Sequence, residues 1–236
     1  MGAFVANSAF TGGYVGTTPV EALYLGTDLI WANPMSGYTF HTEDGVTSYN
    51  NAASFQISNF NPQLPDFHAR IKAHILGRSV FTNGNDTKYM LSDPDGLNPL
   101  VIMYGSREQY GEVGQYRAYL LTYMGNGSAV KVGYQYNIDP FNKDIDWTIY
   151  PQGLYDNDTD EWIGTTPSAS TLPNSEIIIS FRYIAWKEIQ IWQGSTLLFD
   201  GKAAIRKSDD GGGLYDVVSN TFYTDAQYPE RVHPYQ

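Results

Sequence analysis

Residues 201–216 read GKAAIRKSDDGGGLYD, and residues 220–224 read NTFYT. The three consecutive glycines and the Asp209-Asp210 pair favour a tight turn, because glycine adopts a positive φ without strain and aspartate is common in turns. The segments on either side carry apolar side chains that a strand can bury. The stretch therefore predicts a β-hairpin that closes a sheet. Its structural residues are Gly211, Gly213, Leu214, Tyr215, Asp216, Phe222 and Tyr223.

The chain before this hairpin has the pattern of further strands. Over residues 67–75 apolar and basic side chains alternate, which is the period of a half-buried strand. Residues 145–150 and 177–183 alternate in a similar way, and Gly, Asn and Asp turns separate such segments. The sequence therefore predicts an all-β fold, an antiparallel β-sandwich. The basic side chains expected on its solvent face are His68, Arg70, Lys72 and His74.

The length of 236 residues is typical of a single β-sandwich domain. We assign residues 20–236 to that domain, with a first hairpin that turns at Gly26-Thr27. Residues 1–19 form either a first strand or an N-terminal arm that docks on a neighbouring subunit, because a terminal segment is ordered only when something holds it. The anchoring residues of such an arm would be Phe4, Phe10 and Tyr14.

The composition excludes several classes of partner. A net charge of −11 and a pI near 4.6 argue against nucleic acid and against an anionic membrane surface. The chain has no cysteine, so disulfides, thiolate metal sites and cysteine nucleophiles are ruled out. We see no signal peptide and no apolar run long enough to span a bilayer, and we expect synthesis in a cytoplasm without membrane insertion.

Two stretches carry a resemblance to a known family. The ending IRKSDDGGGLYD followed by NTFYT, over residues 205–224, resembles the C-terminal signature of concanavalin A-like, laminin-G-like jelly-roll proteins of tailed-bacteriophage virions. Residues 20–31, VEALYLGTDLIW, are similar to a hairpin of phage structural proteins. The resemblance implies a jelly roll and a place in the virion, as a capsid-decorating protein, a head fibre or a tail component. It also implies other virion proteins as partners, and we expect a homo-oligomer.

Four aromatic residues are candidates for contact with a glycan or a protein partner: Tyr155, Trp162, Trp186 and Trp192. Alternation from residue 186 places Trp186 and Trp192 on the same side of a strand as Glu188 and Gln190. Flat rings beside hydrogen-bond acceptors are suited to stacking on sugars. The alternative, which we favour for the two strand tryptophans, is that they belong to the core, because large aromatic side chains are usually mostly buried.

The densest acidic cluster of the sequence has two interpretations, a solvated turn and a loop that binds a metal ion. Asp156, Asp158 and Asp160 alternate as the oxygen ligands of a Ca²⁺ loop do. However, Glu161 stands where an EF-hand requires glycine. A solvated hairpin tip is the interpretation we favour, because Asp and Asn readily occupy turns. Apart from this calcium option, no cofactor is expected.

The sequence does not indicate catalysis. Retaining or inverting glycoside hydrolysis needs two carboxyl groups about 5 to 9 Å apart, and hydrolases of this fold class carry a third acidic residue that is missing after Asp144-Ile145-Asp146. We therefore predict a non-enzymatic virion protein that displays a lectin-like sandwich. The alternatives are a receptor-binding module for host surface glycans and, last, a glycan-degrading enzyme.

Overall fold

The computed structural model describes the backbone of residues 14–15, 18–19, 22–25, 27–48, 53–57, 66–76, 86–92, 101–106, 117–123, 129–132, 142–150, 152–165, 177–182 and 184–236. Side chains are described for residues 22, 27, 32–48, 53–57, 66–76, 142–150, 152–165, 177–182 and 184–236.

Within these residues the chain forms short and medium strands joined by turns. In chain order the strands are β1 Tyr14–Val15, β2 Thr18–Pro19, β3 Ala22–Leu25, β4 Asp28–Ala32, β5 Tyr38–Phe40, β6 Val46–Thr47, β7 Ser54–Ile57, β8 Phe67–Ile75, β9 Asp86–Ser92, β10 Val101–Ser106, β11 Arg117–Tyr123, β12 Ala129–Val132, β13 Lys143–Tyr150, β14 Gly153–Asp156, β15 Glu161–Thr165, β16 Ile177–Ser180, β17 Ile184–Gln193, β18 Thr196–Arg206, β19 Gly212–Asp216, β20 Thr221–Tyr223 and β21 His233–Pro234.

Two sheets account for most of these strands. The large sheet has the order β15-β14-β13-β8-β17-β18-β19-β20, with β5 against β18, β6 against β17 and β21 against β6. The small sheet has the order β12-β11-β10-β9-β16-β7, and β1–β2 and β3–β4 are separate hairpins. Every pairing between these strands is antiparallel. The predicted all-β, antiparallel fold is therefore confirmed, whereas the jelly-roll connection stays a prediction.

Helix is almost absent from the described part of the chain, which contains a single 3-10 turn at Pro229–Arg231. None of the described residues forms a helix that is long and apolar enough to cross a membrane.

One core joins the two sheets. In β8 the apolar positions Phe67, Ala69, Ile71, Ala73 and Ile75 are fully buried, as their alternation predicts. They belong to the same cluster as the buried side chains of the small sheet. Since burying a large apolar side chain contributes about 1.5–3 kcal/mol, this cluster holds the sheets face to face. The small-sheet members are Phe55, Ile57, Ile177 and Ile179.

The predicted closing hairpin is an integral part of the large sheet. Strand β19 pairs with β18 on one side and with β20 on the other. The glycines, however, do not supply the positive φ that we expected from them, because the positive φ of this turn belongs to Asp210 (56°). Gly212 and Gly213 lie in the strand instead. A Cβ on Gly213 would stand 2.1 Å from the carbonyl oxygen of Tyr223, so glycine is required there for close approach of two backbones.

The N-terminal predictions are covered only in part. The hairpin predicted there is present as the pairing of β3 with β4, with Leu25 opposite Asp28. The backbone of Tyr14 lies in β1, which pairs with β2. Phe4 and Phe10 lie outside the described residues, so the arm remains a prediction.

Candidate functional site

The outer face of the large sheet carries a network of ion pairs, which we call the ionic network. Its members are Arg70, Lys72, Asp146, Glu188, Asp200 and Lys202. Strand register creates it, because Lys72 stands opposite Asp146 on β13 and opposite Glu188 on β17, while Glu188 stands opposite Lys202 on β18. Opposite charges that face each other across strands attract. The basic side chains of Arg70 and Lys72 on β8 are thus neutralised by carboxylates of the neighbouring strands rather than simply solvated.

The distances in the network describe a continuous chain of contacts. Arg70 Nε donates to Asp146 Oδ1 at 2.7 Å, and Nη2 donates to Oδ2 at 2.6 Å. Lys72 Nζ lies 3.8 Å from Asp146 Oδ2 and 3.4 Å from Glu188 Oε2. Lys202 pairs with Glu188 and lies 2.9 Å from Asp200 Oδ1.

These contacts keep the carboxylates of Asp146 and Glu188 ionised. Burial acts to raise the pKa of Asp146, but hydrogen bonds from Arg70 and Asn157 outweigh burial, and the pKa is lowered. Glu188 follows the same balance, since burial is outweighed by the hydrogen bond and charge of Lys202, and its pKa is lowered. A general acid needs a raised pKa. Neither of these two carboxylates is suited to that role near neutral pH.

Beside the ionic network lies a row of five rings, which we call the aromatic patch: Trp192, His68, Tyr150, Tyr155 and Trp162. The rings of Trp192 and His68 are nearly parallel, with centroids 5.9 Å apart. The centroid of His68 lies 5.4 Å from that of Tyr150, and the centroid of Trp162 lies 5.5 Å from Tyr150 and 5.4 Å from Tyr155. The patch therefore runs from β17 across β8 and β13 to β14 and β15.

Trp162 is the exposed end of the patch, with 44% of its surface accessible. The other four rings are half-buried. The Tyr155 hydroxyl donates to Asp160 Oδ1, and this hydrogen bond raises the pKa of Tyr155. Burial lowers the pKa of His68 against a smaller opposing effect of a backbone hydrogen bond at Asp66. The patch is therefore uncharged near neutral pH.

Asn157 attaches the turn between β14 and β15 to strand β13. Its backbone N–H donates to the carbonyl oxygen of Asp146 at 2.8 Å, and its Nδ2 donates to Asp146 Oδ1 at 2.9 Å. The hydroxyl of Thr148 donates to Asn157 Oδ1 at 3.1 Å. These bonds fix the hairpin on which Tyr155 and Trp162 stand, and they connect the aromatic patch to the ionic network.

Trp186 is not part of this surface. It is completely buried, and its Nε1 donates to the carbonyl oxygen of Ser180 at 2.8 Å. The predicted common face of Trp186 and Trp192 is wrong because β17 has a register shift between Trp186 and Glu188. A bulge of this kind adds a residue and reverses which side chains face the core. Trp186 belongs to the core, which is the alternative that we favoured for it, whereas Trp192 is half-exposed.

The acidic turn does not gather its carboxylates around one point. Among the described residues there is no group of three or more His, Asp or Glu side chains that could hold a metal ion. Asp156 Oδ1 accepts the backbone N–H of Asp158 at 3.0 Å, and Asp160 accepts the hydroxyl of Tyr155. The side chains of Asp156 and Asp160 thus act within the hairpin tip, and calcium binding by Asp156, Asp158 and Asp160 finds no support in their contacts.

Two members of the patch were missing from the sequence-based candidates. His68 and Tyr150 both occupy outward positions of alternating strands, so the signal was present in each strand alone. Their contact depends on the pairing of β8 with β13, which a single strand pattern does not reveal.

Comparison of the chain with protein-family profiles, with curated proteins and with solved structures finds no match in any of the three.

Proposed function

We propose that this protein is a non-enzymatic structural component of a tailed-phage particle that displays its β-sandwich for contact with another surface. The resemblance of residues 205–224 supports a virion location, as a capsid-decorating protein, head fibre or tail component. The contact role rests on one observation, the aromatic patch on the outer face of the large sheet. Large rings that remain accessible on a folded protein are typical of interaction sites.

The arrangement of charges supports contact rather than catalysis. The carboxylates beside the patch are held by cations at lowered pKa values. Such groups contribute to a rigid polar surface and not to proton transfer near neutral pH. A glycan-degrading enzyme is therefore the least supported of the three functions.

A receptor-binding module for host surface glycans is the second candidate, and the composition of the patch favours it. The apolar faces of sugar rings stack on aromatic side chains, while carboxylates such as that of Asp160 accept hydrogen bonds from sugar hydroxyls. Both needs are met within one hairpin, where Tyr155, Asp160 and Trp162 lie together. The two functions are compatible, since a displayed protein can carry the receptor contact.

The virion role is tested by purifying particles and measuring the copies of this chain that they contain. We expect a fixed copy number in density-purified particles and a homo-oligomer in solution. When particles assemble in the presence of a chain that lacks residues 1–19, we expect the truncated protein to be absent from the particles although it remains folded. Particles that contain none of the full-length chain would contradict the virion role.

The contact role is tested with Trp162→Ala and with Val218→Ala as a matched control. Val218 is similarly exposed, at 47%, but lies in the turn between β19 and β20 at the other edge of the large sheet. We expect particles that carry Trp162→Ala to adsorb less to host cells, and particles that carry Val218→Ala to adsorb as the unmodified particles do. Equal adsorption of both variants would reject the patch as the contact surface.

A further inference from the structure

We propose that the ligand of the aromatic patch is an uncharged oligosaccharide that lies across the strands, from Trp192 toward Trp162. This inference rests on the proposed contact function and adds the chemical class of the ligand. It is carried by the juxtaposition of a row of uncharged rings, the ionic network of paired charges beside it, and the acidic turn next to Trp162.

The shape of the patch suits a chain-like ligand. The rings of the row come from five neighbouring strands, β17, β8, β13, β14 and β15. Successive ring centroids lie 5.9 Å apart from Trp192 to His68, 5.4 Å apart from His68 to Tyr150 and 5.5 Å apart from Tyr150 to Trp162, so the row has the length of three ring-to-ring steps. This is longer than one sugar ring. A short oligosaccharide could therefore contact Trp162 and Trp192 at the same time.

The cation nearest to the patch along β8 is already occupied. Arg70 lies two residues from His68, and two of its three guanidinium nitrogens, Nε and Nη2, donate to the two oxygens of Asp146. Bidentate pairs of this kind are the strong ones. The charge of this guanidinium is thus compensated by Asp146, and a ligand carboxylate, sulfate or phosphate would compete with that carboxylate for it. The site offers stacking surface beside a cation that is already paired with a carboxylate.

The ring in the middle of the row does not supply a positive charge either. His68 is flanked by the rings of Tyr150 and Trp192. The charged residues nearest to it in the sequence are Asp66 and Arg70, two positions before and after it. Burial lowers its pKa, so the imidazole is neutral near pH 7. Charging it would require a pH below the ordinary histidine value of 6.5.

The turn at the exposed end of the patch repels anions. Asp158, Asp160 and Glu161 are exposed within a few residues of Trp162, and the whole chain carries a net charge of −11. Charges within a Debye length of about 8 Å interact at physiological salt. Uronic, sialylated or phosphorylated glycans are therefore disfavoured, whereas the carboxylate of Asp160, beside Tyr155, can accept hydrogen bonds from the hydroxyls of a neutral sugar.

The test is an array of neutral hexose and N-acetylhexosamine oligosaccharides printed beside uronic-acid and sialylated oligosaccharides of the same lengths, probed with the full chain. We expect binding to neutral oligomers that changes little between low and high NaCl concentrations. Trp162→Ala is expected to weaken it about tenfold, as truncation of an aromatic anchor does. Val218→Ala should leave it unchanged. Asp158→Lys, which reverses one charge of the turn, should preserve neutral binding and add binding of acidic oligomers.

The outcomes separate this inference from the function on which it rests. Patch-dependent binding that prefers acidic oligomers and weakens with salt would overturn the uncharged class while the contact function stands. Loss of adsorption by Trp162→Ala without binding to any sugar would mean a protein receptor, and would also overturn the inference alone. Glycan binding that Trp162→Ala does not change would reject both.

Discussion

Asp216 is a buried carboxylate whose hydrogen bonds build one turn of the terminal hairpin. It is 2% exposed. Its oxygens accept the backbone N–H groups of Asp200 at 2.9 Å, of Val218 at 3.1 Å and of Ser219 at 3.1 Å, together with the hydroxyl of Ser219. A single side chain thus accepts hydrogen bonds from three backbone donors on two neighbouring segments.

We expect Asp216→Ala to lower the free energy of unfolding by about 3 kcal/mol, because three backbone hydrogen bonds and one hydroxyl hydrogen bond to the same buried carboxylate are lost. Urea denaturation followed by tryptophan fluorescence measures this. Asp158→Asn is the control, since Asp158 is exposed, and it should change stability by less than about 0.5 kcal/mol. Equal effects of the two substitutions would refute the role given to Asp216.

Gly213 is required by backbone contact, which gives a second residue-scale prediction. Its added Cβ would stand 2.1 Å from the carbonyl oxygen of Tyr223 and 3.0 Å from Cζ of Phe222, whereas an added Cβ at Gly37 meets nothing within 4 Å. We expect Gly213→Ala to cost about 2–3 kcal/mol or more, as overpacking does, and Gly37→Ala to be nearly neutral. Thermal unfolding of the two alanine variants, measured side by side, tests this difference in stability. Similar unfolding midpoints would contradict the expected clash at Gly213.

At the scale of the element, the ionic network ties four strands together along the outer face of the large sheet. The contacts join β13 to β8, β8 to β17 and β17 to β18. Isolated surface pairs contribute little, but linked and half-buried pairs hold neighbouring strands in one register. The stability of this face should therefore depend on the ionisation of Asp146 and Glu188.

Acidification should weaken this face. The pKa values of Asp146 and Glu188 lie below their ordinary values of 3.8 and 4.5, so the unfolded chain binds protons more readily than the folded one. The stabilisation is present in full above about pH 5 and is lost as the pH falls through the unfolded values toward the lower folded ones. Urea denaturation between pH 7 and pH 3 should show this loss, and the variant Asp146→Asn/Glu188→Gln should show a flatter profile. Identical profiles would contradict it.

The elements differ in how much of them a sequence reveals. The alternation in β8 and the turn residues around 207–211 predict a strand and a hairpin, because both signals are local. The opposite faces of Trp186 and Trp192 could not be predicted, since the bulge before Glu188 follows from pairing with β8. For the same reason, the sequence predicts only part of the aromatic patch. Tyr155 and Trp162 are neighbours across one hairpin, whereas His68 and Trp192 reach them through strands distant in sequence.

At the scale of the whole molecule, a shared core couples the two sheets. Phe181 is fully buried next to β16 of the small sheet, and its ring lies 5.5 Å from that of Phe55 of β7. Both belong to the same cluster as Ile71 and Ile189 of the large sheet. The two sheets should therefore unfold as one unit.

We expect Phe181→Ala to cost about 3–5 kcal/mol through the cavity it leaves, and to shift the unfolding of both sheets together. Far-UV circular dichroism reports strand content, and near-UV dichroism reports the packing of aromatic rings. The two transitions should coincide, as they do for a cooperative unit. Separate transitions, with one sheet surviving the other, would argue against a common core.

The pairing of β6 with β21 has a consequence for synthesis on the ribosome. His233 stands opposite Thr47, and the backbone N–H of Tyr235 donates to the carbonyl oxygen of Gly45 at 3.0 Å. Most of the sequence separates these partners, and such distant contacts form late and slowly. Nascent chains in which residue 235 is still inside the exit tunnel should therefore remain sensitive to protease around residues 41–48, and become resistant once a longer linker lets it emerge. Until then, the large sheet of the nascent protein lacks the pairing of β6 with β21.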